Sequence, residues 1–282
     1  MSEFDSARRA ALMQDLLRLV QGRPSDLLPF DEVKEKLRLK QIIDRGVMEV
    51  PLDRIVGSLG REKAFNRVFL PRDEALRERW EEVRELAEGQ SGFPAVELYY
   101  VNDVYFVVDG HHRVSVARSL DAPTIEARVK EFATPVPLTT DTTLEEIILK
   151  SGLADFLETT GLDQENPDEF RTTIANGYER LIDHINVHRY YRGIETGRPV
   201  PYEEAVVSWA DTVYRPMTRT IRESEIMESF PDYTECDLYL FTMEHLHYLR
   251  ERYGQSGEER ARVVKHFALS QRKGKKSRKK KL

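Results

Sequence analysis

Val107-Val108-Asp109-Gly110-His111-His112-Arg113 joins two different patterns at a single glycine. Before it, Val104 to Val108 is a run of β-branched and aromatic residues, the composition of a strand. After it, Val114, Ala117 and Leu120 recur at helical spacing, which predicts a helix over His112 to Leu120. A helix start exposes unpaired backbone N–H groups and the positive end of the helix dipole, so it holds anions. A glycine just before the helix lets the backbone come close to a phosphate, and Gly110 stands there. His111, His112 and Arg113 add polar or cationic groups at the same end, and Arg113 is a bidentate partner for phosphate oxygens. Asp109 ends the strand, where it would hold a metal-bound water, orient a histidine or act as a base. That set suits a triphosphate with Mg²⁺, which takes few carboxylates besides phosphate oxygens. The plainer alternative is that Asp109 caps the helix and the histidines only occupy its first turn.

Outward from this turn the pattern stays mixed. Val96 to Val101 reads as a strand joined to the next by the tight turn Asn102-Asp103. Leu76, Trp80, Val83 and Ala87 make Arg72 to Glu88 an amphipathic helix. Val47 to Val50 and Thr124 to Val129 read as further strands. The loop Gly57-Ser58-Leu59-Gly60-Arg61 offers two glycines, a hydroxyl and a cation that could close over phosphates, so Ser58 and Arg61 join the candidate site. Phe65 and Phe69 read as core anchors. The expected fold class is α+β: a small mixed-sheet domain over residues 47–132, followed by an all-α domain over residues 142–270.

Residues 1–46 read as a helical segment. Asp5 or Ser6 would cap a helix whose stripe is Ala11, Leu12, Leu16, Leu17 and Val20, with Gly22 as its stop. A second helix starts near Asp31. The Pro- and Thr-rich stretch 133–141 is the expected linker. Beyond it, Thr142 with Glu145 forms a capping box. Long helices are expected over Pro167–Glu195, Tyr202–Tyr214 and Glu235–Tyr253, the last started by Thr234 with Asp237 and stopped by Gly254. His184 and His188 share a helix face, but Ile185 stands where a zinc-protease pattern needs Glu, so aromatic packing of Tyr190, Tyr191, Trp209, Tyr214, Tyr239 and Tyr248 is the favoured reading over a metal site.

The 282 residues suffice for about two domains. No apolar run is long enough for a membrane span, the start resembles no secretory leader, and the lone Cys236 excludes an internal disulfide. A cytoplasmic location is expected. The net charge of −6 hides a division, because Arg272 to Lys281 holds eight basic residues and no acid. Without those eight, 35 basic residues stand against 49 acidic ones, a net of −14. Residues 271–282 are therefore expected to be a disordered basic tail that contacts nucleic acid without sequence preference.

From Pro51 to Val129 the order of elements and the Asp109-Gly110-His111-His112-Arg113 box resemble the ParB/sulfiredoxin superfamily. Gly110 and Arg113 match the Gly-Glu-Arg-Arg box of ParB proteins, which holds the triphosphate of CTP, while His111 and His112 replace its middle residues. The sulfiredoxin box, Gly-Gly-Cys-His-Arg, matches at Gly110, His112 and Arg113, but His111 stands where its catalytic cysteine would be, which disfavours that chemistry. ParB-like free serine kinases are similar in carrying Asp-Gly-His-His-Arg, and their base would fall nearest to Glu62 here. The resemblance implies a nucleotide-binding regulator using CTP or ATP with Mg²⁺ held by Asp109, able to bias homodimerisation or nucleic-acid engagement. It leaves a small-molecule kinase, with Asp109 or Glu62 as base, as the alternative. No helix-turn-helix follows the linker, unlike in most DNA-reading ParB proteins.

Overall fold

The computed structural model describes residues 2–87, 89, 93–162, 166–224 and 226–253. The basic tail and Gly254 lie outside the described residues. The chain divides into two compact units, Met1–Ile148 and Leu149–Leu282.

The first unit is a mixed α/β structure built on a six-stranded sheet. Its strands are β1 (Leu28–Pro29), β2 (Ile42–Pro51), β3 (Ile55–Ser58), β4 (Val96–Val101), β5 (Val104–Asp109) and β6 (Thr124–Phe132), in the spatial order β1-β3-β5-β4-β6-β2. The β1·β3, β3·β5 and β4·β6 pairs are parallel, whereas β4·β5 and β2·β6 are antiparallel. The turn between β4 and β5 places Asn102 in the left-handed region at φ 55°, as the Asn-Asp pair favours.

Both faces of the sheet are covered, which is why β5 is apolar on both sides. Tyr105 and Val107 face a core with Phe4, Trp80, Val83, Val114 and Ala117. Those residues come from α1 (Glu3–Val20), α3 (Arg77–Ala87) and α4 (His111–Ser119). Val104 and Phe106 face a second core with Phe30 and Val33 of α2 (Phe30–Lys36), and with Leu138 and Ile147. Trp80 Nε1–H donates to Ser115 Oγ at 3.0 Å, tying α3 to α4.

Several elements differ from their sequence reading. The strand expected at Val47–Val50 runs from Ile42 to Pro51, because its pairing with β6 continues past a bulge at Asp44/Gly46. The strand expected to end at Val129 reaches Phe132 for the same reason. The helix expected from Arg72 opens as a 3₁₀ turn at Glu74–Leu76, capped by Asp73. Ser2, rather than Asp5 or Ser6, caps α1 through a reciprocal box with Asp5. This helix buries Phe4, Ala7 and Ala11, and leaves the expected stripe of Leu12, Leu16, Leu17 and Val20 exposed.

The stretch 133–141 is tied into the first unit. Leu138 is buried, and the buried Arg67 guanidinium donates to the carbonyls of Asp26, Thr140 and Thr142. Thr142 is used up there, its Oγ1 accepting from Thr139 N–H at 2.8 Å. The following helix, α5 (Leu144–Thr160), is capped instead by Thr143, which accepts from Glu146 N–H.

The second unit is helical, with α6 (Gly177–Thr196), α7 (Tyr202–Trp209), α8 (Arg215–Glu223) and α9 (Glu235–Tyr253). The helix expected from Pro167 is a 3₁₀ turn at Pro167–Phe170, and α6 begins only at Gly177. Thr172 and Thr173 divert that segment by donating their hydroxyls to the buried Asp237 carboxylate. Asp237 also accepts from Thr234 N–H while Thr234 Oγ1 accepts from Asp237 N–H, the expected start of α9. The helix expected to end at Tyr214 passes through a π-helical turn at Ala210–Tyr214 into α8, where Pro216 cannot donate a backbone hydrogen bond. Trp209, Tyr214 and Tyr239 form the core, whereas Tyr190 and Tyr191 are exposed. No described helix is long and apolar enough to cross a membrane.

Candidate functional site

β3 and β5 run parallel, with Ser58 registered against Val107, so both strands end on the same edge of the sheet. In α/β sheets that edge, outside the carboxyl ends of parallel strands, is where ligands bind. Here it is formed by the loop after Ser58 and by the turn Asp109–Gly110 that starts α4.

Gly110 is the N-cap of α4 at φ 96° and ψ 22°, and no side chain caps the helix. The first-turn N–H groups of His111, His112 and Arg113 have no intrahelical acceptor by the geometry of a helix start. The glycine is required twice over. Its φ is one that a residue with a Cβ rarely adopts, and a Cβ would stand 2.5 Å from Val96 Cγ1.

Asp109 does not cap the helix. Its carboxylate accepts from Arg113 Nη2 at 2.6 Å, and Arg113 Nη1 donates to the Pro94 and Ala95 carbonyls at 2.7 and 2.9 Å. Arg113 is thus braced against the approach to β4, with its charge held at the amino end of α4. The Asp109 side chain remains 69% exposed, so it is reachable from solvent.

His111 and Ser58, 53 residues apart, are brought together. Ser58 Oγ lies 2.9 Å from His111 Nε2, and both residues are buried. Ser58 Oγ also accepts from Arg61 N–H at 3.2 Å, which folds the Gly57–Arg61 loop toward the turn. His112 is half-buried, presents its ring edge to Phe65 at 5.7 Å, and leaves Nδ1 buried without a hydrogen-bond partner. Phe65 and Phe69 are the core anchors expected of them, stacked at 5.7 Å beneath the histidines. Glu62 is half-buried in the early loop.

The electrostatics separate the two kinds of residue in this cluster. Burial, followed by the charge of Arg61, pushes His111 down to about 4. Burial, then Arg61 and Arg79, also lower His112. Both rings are therefore neutral at pH 7, and neither supplies the positive charge that the sequence suggested. That charge comes from Arg61, Arg113 and the helix dipole. Arg79 of α3 is 65% exposed and paired with Glu82, and it bears on this cluster only through the field that adds to the lowering of His112.

Among the described residues, no group of three or more His, Cys, Asp or Glu is placed to hold a metal ion. His184 lies 3.1 Å from Tyr239 Oη and His188 3.0 Å from Ser208 Oγ, so each already has a partner in its own helical unit. Cys236 is buried, and burial pushes its thiol up to about 12.

Comparison with protein families, curated proteins and solved structures finds no match to this chain.

Two predictions follow from this geometry. Gly110→Ala combines a left-handed backbone with a clash against Val96, and should destabilise the first unit by about 2–4 kcal/mol in urea unfolding. A change within error would mean that the backbone at this turn is free to relax. The second concerns His111, whose folded value of about 4 lies below the ordinary 6.5. The unfolded chain binds the extra proton between those values, so stability rises with pH there and is lost as pH falls from 6.5 toward 4. Between pH 7 and pH 5 this group should cost about 2 kcal/mol. His111→Gln should remove that share of the pH dependence, and an unchanged profile would contradict a buried neutral His111.

Proposed function

We propose that this chain binds a nucleotide through its phosphates at the amino end of α4, in a ParB/sulfiredoxin-like first unit, and acts as a nucleic-acid-associated regulator. The observation that carries the reading is the left-handed Gly110, which leaves the start of α4 uncapped by any side chain at the carboxyl ends of two parallel strands. Phosphate oxygens would take the N–H groups of His111 to Arg113, with Arg61 closing from the early loop and Ser58 holding that loop to His111. The Asp-Gly-His-His-Arg resemblance supports a nucleotide over a simple anion, with CTP and ATP both compatible.

Magnesium fits this site only as part of a nucleotide complex. One exposed carboxylate, Asp109, is too few for a protein-only Mg²⁺ site, but Mg²⁺ commonly combines one or two carboxylates with substrate phosphates. Asp109 would turn from Arg113 to the ion, freeing guanidinium hydrogens for phosphate oxygens. In a small-molecule kinase the same pocket would be used, with Asp109 or Glu62 taking the acceptor's proton.

Isothermal titration with CTP, ATP and ADP, each with Mg²⁺, tests the nucleotide reading. Binding of at least one, weakened at least ~10-fold by Arg113→Ala, is expected from the loss of a charge-assisted contact. Absence of binding by all three, or undiminished binding by Arg113→Ala, refutes it. Mass spectrometry of a metabolite mixture incubated with ATP separates regulator from kinase, because only the kinase yields a phosphorylated product. The basic tail is tested by gel shift, comparing the full chain with one ending at Ser270. The shorter chain should bind DNA more weakly and with less salt dependence, and equal binding would remove the tail from the reading.

A further inference from the structure

One side of α6 is seated in the helical core through Tyr178, Leu181 and Ile185, and another side stays open. Asn186, Arg189, Tyr190, Gly193 and Ile194 stand at i, i+3, i+4, i+7 and i+8, so they share that open face. At the end of the helix Gly197 takes the left-handed conformation, at φ 65°, and turns the chain back. Gly193 admits the returning segment closely, since a Cβ there would stand 3.4 Å from the Arg198 carbonyl oxygen. Arg198, Pro199 and Val200 thereby form the second wall of a cleft of about 640 Å³. Small-molecule sites enclose roughly 300–1,000 Å³.

Arg189 and Arg198 both line this cleft, but the protein uses them differently. Arg198 Nη2 donates to both carboxylate oxygens of Glu204 at 3.1 Å, and Arg192, outside the lining, shares that carboxylate at 3.8 Å. Arg189 instead donates Nε to the Val200 carbonyl at 2.7 Å, which fixes its guanidinium plane. Among the described residues, its Nη1 and Nη2 meet no acceptor. The free end of this fork matches the two oxygens of a carboxylate. A single uncompensated charge suits a monoanion better than a phosphate group, which carries about −1.5 to −2 at pH 7.

The rest of the cleft suits an apolar body. Tyr190 and Ile194 are 67% and 62% exposed, and Pro199 lines the wall with them. Tyr202, the first residue of α7, adds an unused donor, because its Oη is buried without a hydrogen-bond partner. Burial, opposed by the Arg189 charge, pushes this phenol up, so it keeps its proton.

We propose that this cleft binds a small monocarboxylic acid with an aromatic or branched apolar body. Arg189 would take the carboxylate, while Tyr190, Ile194 and Pro199 cover the apolar end. The cleft lies wholly within the second unit, and it stands whether or not the start of α4 binds nucleotide.

Titration of the full chain with phenylacetate and with isocaproate, followed by ¹⁵N–¹H correlation spectroscopy, tests this. The amides of Gly193, Gly197 and Arg198 should shift saturably with at least one acid, with a Kd below about 10 mM. Phenylacetamide keeps the ring and removes the charge, so it should bind at least ~10-fold more weakly than phenylacetate. Arg189→Ala should weaken binding of the acid at least ~10-fold, and Arg189→Lys should restore only part of it, because an ammonium lacks the planar fork. The comparison of acid with amide uses the wild type and does not depend on a variant's folding. No saturable shift of these amides with either acid overturns the proposal. So does phenylacetamide bound as tightly as phenylacetate, undiminished binding by Arg189→Ala, or phenyl phosphate bound more tightly than both acids.

Discussion

The parallel pairing of β3 with β5 brings Ser58 alongside Val107, and the candidate site depends on that register. With the two strand ends level, the hydroxyl of Ser58 meets the ring of His111, the first residue of α4. The hydrogen bond joins the early loop to the helix start, while Arg61 N–H closes onto the same oxygen. A slip of one residue in β3 would turn Ser58 to the other face of the sheet and leave both groups buried without each other.

Around that contact, the polar work is divided between buried and exposed groups. The histidines are packed on Phe65 and Phe69, and their burial keeps them neutral. They shape the turn and hold its loop. Charge is carried instead by arginines, which stay protonated in nearly any surroundings. Arg113 is the clearest case, since Asp109 and two carbonyls fix its guanidinium beside Gly110. The Pro94 and Ala95 carbonyls keep this cation at the helix start, and its pairing with Asp109 is the contact that a bound anion would replace.

Much of the local structure around the site could be read from the residues themselves. The apolar run Val104–Val108, the glycine and the helical spacing after it specify strand, left-handed turn and helix with local rules alone. What could not be read was any relation set by tertiary register. Ser58 and His111 are far apart in sequence, and only the crossover through α3 brings them together. The charge state of the histidines depends on their burial against Phe65, which no local pattern records. The first helix shows another limit. Its periodicity was legible, but Phe4, Ala7 and Ala11 form a second apolar arc, and hydrophobic spacing does not say which of two arcs faces the core. Side-chain competition hid the break before α6, where Thr172 and Thr173 bond to Asp237, and Pro216 turned one expected helix end into a π-helical turn.

The central claim is that the backbone at the start of α4 receives phosphate oxygens. Its most direct test is ¹⁵N–¹H correlation spectroscopy of the full chain during titration with CTP–Mg²⁺ and ATP–Mg²⁺. The account predicts that the amides of Gly110 to Arg113 and of Arg61 move earliest and furthest with at least one nucleotide, as the N–H groups gain phosphate acceptors. Saturable shifts confined to other parts of the chain, with these amides unmoved, would contradict it.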